Sequence, residues 1–71
     1  MALRDELEHL VDSMVTRGVR YNDAQREFEK RFIARALAGT GGNLGKAASL
    51  LGMHRNTLSR KMAEYRLRRS A

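Results

Sequence analysis

The sequence predicts an all-α domain of four helices, and three observations support this. Apolar residues recur at intervals of three and four positions through most of the chain, which is the period of an amphipathic helix. No stretch shows the strict alternation of apolar and polar residues that marks a half-buried strand. Glycines stand where the helical periodicity stops. The 71 residues leave room for one domain, so we expect a single unit over residues 1–71.

The first predicted helix begins at Leu3 and ends at Arg17. Acidic residues occupy its first turns, where the helix dipole favours negative charge, and Gly18 is expected to adopt the left-handed conformation that ends a helix. Its apolar stripe consists of Leu3, Leu7, Leu10, Val11, Met14 and Val15.

The second predicted helix begins after Asn22, which we expect to be its N-cap with Gln25 completing a capping box, and ends near Ala38 or Gly39. It continues the apolar pattern through Phe28 and Phe32. Two helices of this size bury such broad faces better against a matching pair from a second chain than against each other. We therefore predict an intertwined homodimer formed by residues 1–38, with these contact residues: Leu3, Leu7, Leu10, Met14, Phe28 and Phe32.

The last two predicted helices form a helix-turn-helix over residues 43–67. Asn43 is expected to cap the helix Leu44–Leu51, and Gly52 to provide the tight turn before a final helix that extends to about Arg66. Ala48 is small enough for the final helix to cross over it. The residues expected to face inward from the third helix are Ala47, Ala48, Leu50 and Leu51.

The exposed face of the final helix is the main functional signal. Leu58, Met62 and Tyr65 fall on one side at helical spacing. The opposite side carries hydrogen-bond donors and no acid: Arg55, Asn56, Ser59 and Arg60. Such a face suits phosphates and base edges, whereas an ordinary solvated face mixes both signs of charge.

The distribution of charge points the same way. Residues 1–38 hold seven basic and seven acidic residues, whereas residues 39–71 hold seven basic residues, including Arg68 and Arg69, and the single acid Glu64. Phosphates attract clustered cations and release counterions on contact. We therefore expect double-stranded DNA as the partner.

Several other functions are disfavoured by the sequence. The chain has no cysteine, its two histidines are 45 positions apart, and its glycine cluster lacks the ending of a phosphate-binding loop. We expect no catalysis, no metal, no cofactor, no small-molecule substrate and no membrane span, and a cytoplasmic location. Two alternatives of another class stay open: a basic protein-interaction module and a binder of anionic membrane surfaces.

The helix-turn-helix residues resemble those of the Fis family of bacterial DNA-binding proteins. The segment Ala24–Leu37 is similar to the DNA-binding domains of NtrC-type activators. This resemblance implies a homodimeric transcription regulator that is associated with the nucleoid and bends its site, with the last helix in the major groove; the domain either stands alone or ends a longer activator. The residues that carry the resemblance are Gly42, Asn43, Ala47, Ala48, Leu51, Gly52, Met53, Arg55, Thr57, Leu58, Arg60 and Lys61.

The resemblance also implies roles for individual residues. Arg55 matches the arginine that reaches a guanine edge, and its neighbours match positions that contact phosphates or bases at the margins of the groove. Leu44 and Gly45 depart from the family's frequent polar residues, so part of the backbone contact by the third helix is expected to be weaker. The remaining residues expected at the DNA are Asn43, Lys46, His54, Asn56, Thr57, Ser59, Arg60 and Lys61.

Overall fold

The computed structural model describes residues 2–67, and all of its regular structure is helical. Within this range there is no β-strand, so the all-α prediction of four helices is confirmed. The helices, numbered in chain order, are α1 (Leu3–Thr16), α2 (Tyr21–Gly39), α3 (Leu44–Leu51) and α4 (Arg55–Tyr65). Arg68 and Arg69, which contribute to the basic charge of the sequence, lie outside the described residues.

The core forms where the C-terminal half of α2 meets α3 and α4. Ile33 of α2 and Leu58 of α4 are the largest side chains that are completely buried. Ala47 and Ala48 are also buried, and their small side chains allow the neighbouring helices to approach α3 closely. The other buried members of this cluster are Leu37, Leu44 and Met62. The α3–α4 unit is therefore anchored on α2.

The turn between α3 and α4 has the conformation that the sequence predicts. Gly52 has φ +70°, a left-handed conformation that strains any residue with a Cβ. The N–H groups of Gly52 and Met53 donate to the carbonyls of Ser49 (3.1 Å) and Ala48 (3.0 Å), the two bonds of a Schellman motif. This closes α3 and directs the chain into α4.

The first turn of α2 differs from the prediction. Arg20 occupies the N-cap position in an extended conformation, and its carbonyl already accepts a hydrogen bond from the N–H of Ala24 at 2.9 Å. Asn22 is consequently inside the helix, and no side chain caps this terminus. The predicted end of α1 agrees more closely with the structure. The helix stops at Thr16, one residue before the predicted end, and Gly18 is left-handed with φ +77°.

Leu50 also differs from the prediction, because it points outward and is 68% exposed. The inward stripe of α3 consists of Leu44, Ala47, Ala48 and the partly buried Leu51. Two positions along an α-helix turn the side chain by about 200°, so Leu50 lies opposite Ala48. The inward assignment of Leu50 was wrong because it did not follow this period.

Helix α1 contributes nothing to the core of the single chain. None of its residues is buried, although its apolar stripe has the predicted helical spacing. Residues Leu7, Leu10 and Phe28 are among those that line an open, mostly apolar groove of about 400 Å³ between α1 and α2.

Candidate nucleic-acid interface

The outer face of α4 presents the side chains that the sequence predicts. Leu58 and Met62 are buried, and the opposite side of the helix is open to solvent. The predicted residues that lie together on this open side are Arg55, Asn56, Ser59 and Arg60. They provide two guanidinium groups, an amide and a hydroxyl, which match phosphates and base edges.

His54 fixes the start of this face. It is the N-cap of α4, and its Nδ1 accepts a hydrogen bond from the backbone N–H of Asn56 at 3.1 Å. Because this bond occupies Nδ1, Nε2 is the ring nitrogen that can donate to another group. Arg55 becomes the first helical residue, at the end of α4 where the backbone N–H groups give a partial positive charge.

The start of α3 carries a second pair of predicted residues. Asn43 accepts a hydrogen bond from the N–H of Lys46 through its Oδ1 at 2.9 Å, which confirms the predicted N-cap. The amide NH₂ group of Asn43 is thus left to donate elsewhere. Both side chains are exposed, so Lys46 is accessible to a phosphate.

Thr57 and Lys61 stand apart from the other predicted residues. Both are only partly exposed, on the sides of α4 that turn towards the rest of the molecule. The ammonium of Lys61 lies 3.1 Å from Oε1 of Glu29 on α2, and the two side chains are 27% and 31% exposed. Lys61 is therefore paired within the chain, which the sequence reasoning did not foresee.

A polar cluster around Glu29 joins α2 to α4. The hydroxyl of Tyr65 donates to Oε1 of Glu29 at 2.6 Å, the same oxygen that Lys61 contacts. The hydrogen bond from Tyr65 and then that from Lys61 lower the pKa of Glu29 below its ordinary value. The bond to Glu29, assisted by desolvation, raises the pKa of Tyr65 to about 12.

Arg26 extends this connection on the solvent side. Its guanidinium lies 3.6 Å from the carboxylate of Glu64 and 5.5 Å from the centre of the Tyr65 ring. Glu64 is the one acid of residues 39–71, and this contact offsets part of its charge. The pair is well exposed, so it contributes little to stability.

A signal for this cluster was present in the sequence. Glu29 precedes the buried residues Ile33 and Leu37 by four and eight positions, so it lies on the inward stripe of α2. A carboxylate on such a stripe requires a partner. Lys61 lies three positions after Leu58 and four before Tyr65, which places it on the inward flank of α4 rather than on the outer face.

The predicted dimerisation residues are accessible in the single chain. Phe28 and Phe32 are 51% and 54% exposed, and their rings lie 5.5 Å apart on one side of α2. Met14 is partly buried. The remaining predicted contacts on α1 are exposed: Leu3, Leu7 and Leu10.

Residues 2–67 form neither a cluster of three metal-ligating side chains nor a membrane-spanning helix. Across residues 2–67, no three histidine, cysteine or acidic side chains come together as metal ligands. None of the helices in the described part of the chain combines the length and the apolar character that a membrane crossing requires.

Comparison with known proteins places this geometry in a family. Residues 24–65, which include all of α3 and α4, match the family described as bacterial regulatory proteins of the Fis family. The matched segment contains all of the residues predicted to contact DNA and the Glu29 cluster. It does not include α1.

Individual relatives agree with the family match. The chain is 40% identical over 62 residues, 87% of its length, to the DNA-binding transcriptional regulator NtrC of Azospirillum brasilense. It is 51% identical over 43 residues, 61% of its length, to that of Proteus hauseri. It is 45% identical over 47 residues, 66% of its length, to a Fis-like DNA-binding protein of Xylella fastidiosa. No solved structure matches the chain significantly.

The relatives are longer than the segment they share with this chain. The match spans 13% and 9% of the two NtrC proteins and 52% of the Fis-like protein. The helix-turn-helix geometry, the family match over more than half of the chain and these identities lead to one conclusion. The chain belongs to the Fis family of bacterial helix-turn-helix regulatory proteins.

Proposed function

We propose that the chain is a homodimeric, sequence-preferring DNA-binding domain of a bacterial transcription regulator, with α4 as its recognition helix. The observation that carries this proposal is the exposed outer face of α4 in the helix-turn-helix. The side chains that lie together on this face are Arg55, Asn56, Ser59 and Arg60. Family membership supports the regulatory role and a non-enzymatic function. We propose that the protein acts in the cytoplasm, on the nucleoid.

Arg55 is the proposed base-reading residue. Helix-turn-helix proteins contact base edges with the N-terminal residues of the recognition helix, and bidentate contact of arginine with guanine is the commonest specific contact. Arg55 begins α4 and is exposed. The cap formed by His54 stabilises the first turn on which Arg55 is held. His54 and Asn56 are its proposed partners in base contact.

The proposed phosphate contacts surround this centre. Lys46 and the free amide of Asn43 lie at the start of α3, and Ser59 and Arg60 continue along α4. Cationic and neutral donors of this kind position a protein on the duplex without reading its sequence. Thr57 belongs to the margin of this surface. Lys61 differs from the other cations of the surface because it is paired with Glu29.

A homodimer is the proposed assembly because the apolar side chains of α1 and α2 are uncovered in one chain. A 71-residue domain without a disulfide or a metal is marginally stable unless a second subunit extends its core. The half-exposed rings of Phe28 and Phe32 adjoin the groove beside α1, so a second α1–α2 pair would bury one continuous apolar surface.

Dimerisation leads to a proposed bend in the DNA. Two recognition helices fit successive major grooves of straight B-DNA when they lie about 34–36 Å apart. The resemblance to the Fis family implies that the two copies of α4 lie closer together than this in the dimer. The duplex would then bend towards the protein, and sites with flexible central steps would bind better.

A second candidate function concerns whether the domain acts as a separate regulator or as part of a longer activator. The short share of the NtrC proteins that the chain matches favours a DNA-binding domain of a longer NtrC-type activator. The match to about half of a Fis-like protein favours a small regulator in its own right. The surface proposed to contact DNA is the same in both.

Selection of duplexes from a random pool, followed by footprinting, tests the proposed function. We expect enrichment of a two-fold symmetric site with a guanine in each half, and protection of both halves. Anionic vesicles at the same salt concentration serve as the control for a membrane-surface binder. Equal binding to vesicles and duplex, or no enriched sequence, would contradict the proposal.

A further inference from the structure

We infer that Glu29 is a built-in counter-charge that holds Lys61 away from DNA phosphates and thereby limits the affinity of the domain for DNA. The inference rests on the proposed function, since it concerns the strength of the same interface. It assigns Glu29 on α2 and Tyr65 on the inner side of α4 a part in setting DNA affinity.

The geometry of the contact is the first argument. Nζ of Lys61 lies 3.1 Å from Oε1 of Glu29, and both side chains are about seven-tenths covered. A pair that is sheltered in this way is screened by salt less than an exposed pair. The pairs Arg26–Glu64 and Arg31–Glu27 involve much more exposed side chains and longer distances of 3.6 and 3.5 Å.

Tyr65 makes this carboxylate a fixed partner. Its hydroxyl donates to the same oxygen of Glu29 at 2.6 Å, so this hydrogen bond helps to hold the carboxylate in the orientation that Lys61 contacts. Tyr65 lies one helical turn after Lys61 on α4. Both donors therefore come from the helix that is proposed to enter the groove, and the acceptor comes from α2.

The position of Lys61 on α4 is the second argument. Lys61 follows Ser59 by two positions, which is a rotation of about 200°, so the two side chains project to opposite sides of the helix. Ser59 is on the exposed face, whereas Lys61 is partly covered beside Leu58. Lys61 would have to leave Glu29 to contact a phosphate on the exposed side. While they are paired, Glu29 and Lys61 together add almost no net charge to the interface.

Salt dependence of DNA binding separates this arrangement from a purely structural contact. Glu29→Gln keeps an oxygen that accepts from Tyr65 but removes the charge. We expect it to bind a labelled duplex more tightly than the unmodified protein at low salt. The slope of log affinity against log salt should steepen by up to about 0.9 per chain, because one more cation becomes available to phosphates.

The matched control is Glu27→Gln. Glu27 is on the same helix two positions earlier, it pairs with Arg31 of its own helix, and its replacement changes the net charge equally. We expect little change in slope for this control. The double variant Glu29→Gln/Lys61→Met should return to the slope of the unmodified protein.

A comparison of the salt dependence of two lysine variants provides a second test, in which Glu29 is not replaced. Lys46→Met should flatten the slope by about 0.9 per chain, whereas Lys61→Met should flatten it much less. Equal flattening by both variants would overturn the inference. So would a Glu29→Gln protein that is folded by circular dichroism but binds no more tightly than the Glu27→Gln control. If the unmodified protein bound no duplex at all, the proposed function itself would fail.

Discussion

Arg55 is the residue whose position bears most directly on the proposed preference for a DNA sequence. It begins α4 next to the cap that His54 forms, and its guanidinium is exposed beside Asn56. An arginine that reads a guanine affects binding to one sequence, whereas an arginine that contacts a phosphate affects binding to all sequences.

Replacing Arg55 with alanine tests this distinction. We expect a loss of about 1–3 kcal/mol of binding free energy on the preferred site and relaxed discrimination at one base pair in each half-site. Binding to random duplex should change little, and the oligomeric state should not change. Competition with duplexes that vary this guanine measures the effect. Equal weakening on every duplex would make Arg55 a phosphate contact, with Asn56 and Arg60 as the next base-reading candidates.

The pKa of Tyr65 indicates whether its hydrogen bond to Glu29 is formed. Its pKa is raised to about 12, first by its hydrogen bond to Glu29 and then by desolvation. The folded state therefore favours the neutral phenol. The associated stability is complete below the ordinary tyrosine pKa of about 10 and is lost as the pH rises from there through 12.

Ultraviolet titration of the phenolate measures this pKa. In a Tyr21→Phe background, Tyr65 is the remaining one of the chain's two tyrosines. We expect a midpoint near 12, and a shift back towards 10 when Glu29 is also replaced by alanine. Circular dichroism over the same pH range shows whether the fold persists. A midpoint near 10 with Glu29 present would contradict the hydrogen bond.

The turn between α3 and α4 sets the direction of α4, the proposed recognition helix. Gly52 is left-handed, and nothing lies within 4 Å of the position that a Cβ would occupy. The requirement for glycine is thus conformational and not steric. Gly45 lies inside α3, where a Cβ would meet Oδ1 of Asn43 at an ordinary 3.6 Å.

The two glycines should respond oppositely to alanine. Gly52→Ala is expected to lower the free energy of unfolding by about 1–2 kcal/mol, because L-residues are strained in the left-handed region. Gly45→Ala should raise it by about 0.4–1 kcal/mol, because alanine favours a helix more than glycine does. Denaturant unfolding at one protein concentration measures both. A Gly52→Ala protein as stable as the original would contradict the turn.

Local features of the elements could be predicted from the sequence, because neighbouring residues determine them. Asn43 caps α3 and Gly52 ends it through contacts a few positions away. The outward face of α4 also follows from helical spacing. Leu50 was misplaced only because the same spacing was not applied to α3, and Asn22 because Arg20 already accepts the first helical bond.

Contacts between elements could not be predicted in the same way. The bond between Glu29 and Lys61 joins residues 32 positions apart and depends on how α2 crosses α4. Helical spacing is enough to place Glu29 on the inward stripe of α2, but it does not identify the partner. The pairing of Lys61 with Glu29 was therefore not predicted from the sequence.

At the scale of the whole molecule, α1 adds no residue to the core that the described residues 2–67 form. None of its residues is buried, and the large apolar side chains of α2 beside it are half exposed. A second chain would supply the missing core, so folding and association should be coupled.

Charged substitutions test this coupling. Phe28→Glu or Leu10→Glu should dissociate the dimer and unfold the chain. The melting temperature of the unmodified protein should rise with concentration. Leu50→Glu is the control, since Leu50 is also a large, exposed apolar residue but lies on α3. Sedimentation and thermal melting measure the outcome. A cooperatively folded monomer of the unmodified chain at micromolar concentration would contradict the proposed dimer.

The basic half of the molecule should dominate its encounter with DNA. The net charge of +6 belongs to residues 39–71, and within the described residues its exposed cations lie on and around the helix-turn-helix. A dimer presents this set twice to the phosphates.

The affinity for duplex DNA as a function of salt concentration therefore tests the central claim most directly. With about six to ten phosphate contacts, the affinity should fall on the order of a thousandfold or more between 50 and 200 mM salt. Fluorescence anisotropy of a labelled duplex measures this fall. An affinity that is nearly independent of salt over this range would contradict the assignment of α3 and α4 as a DNA-binding surface.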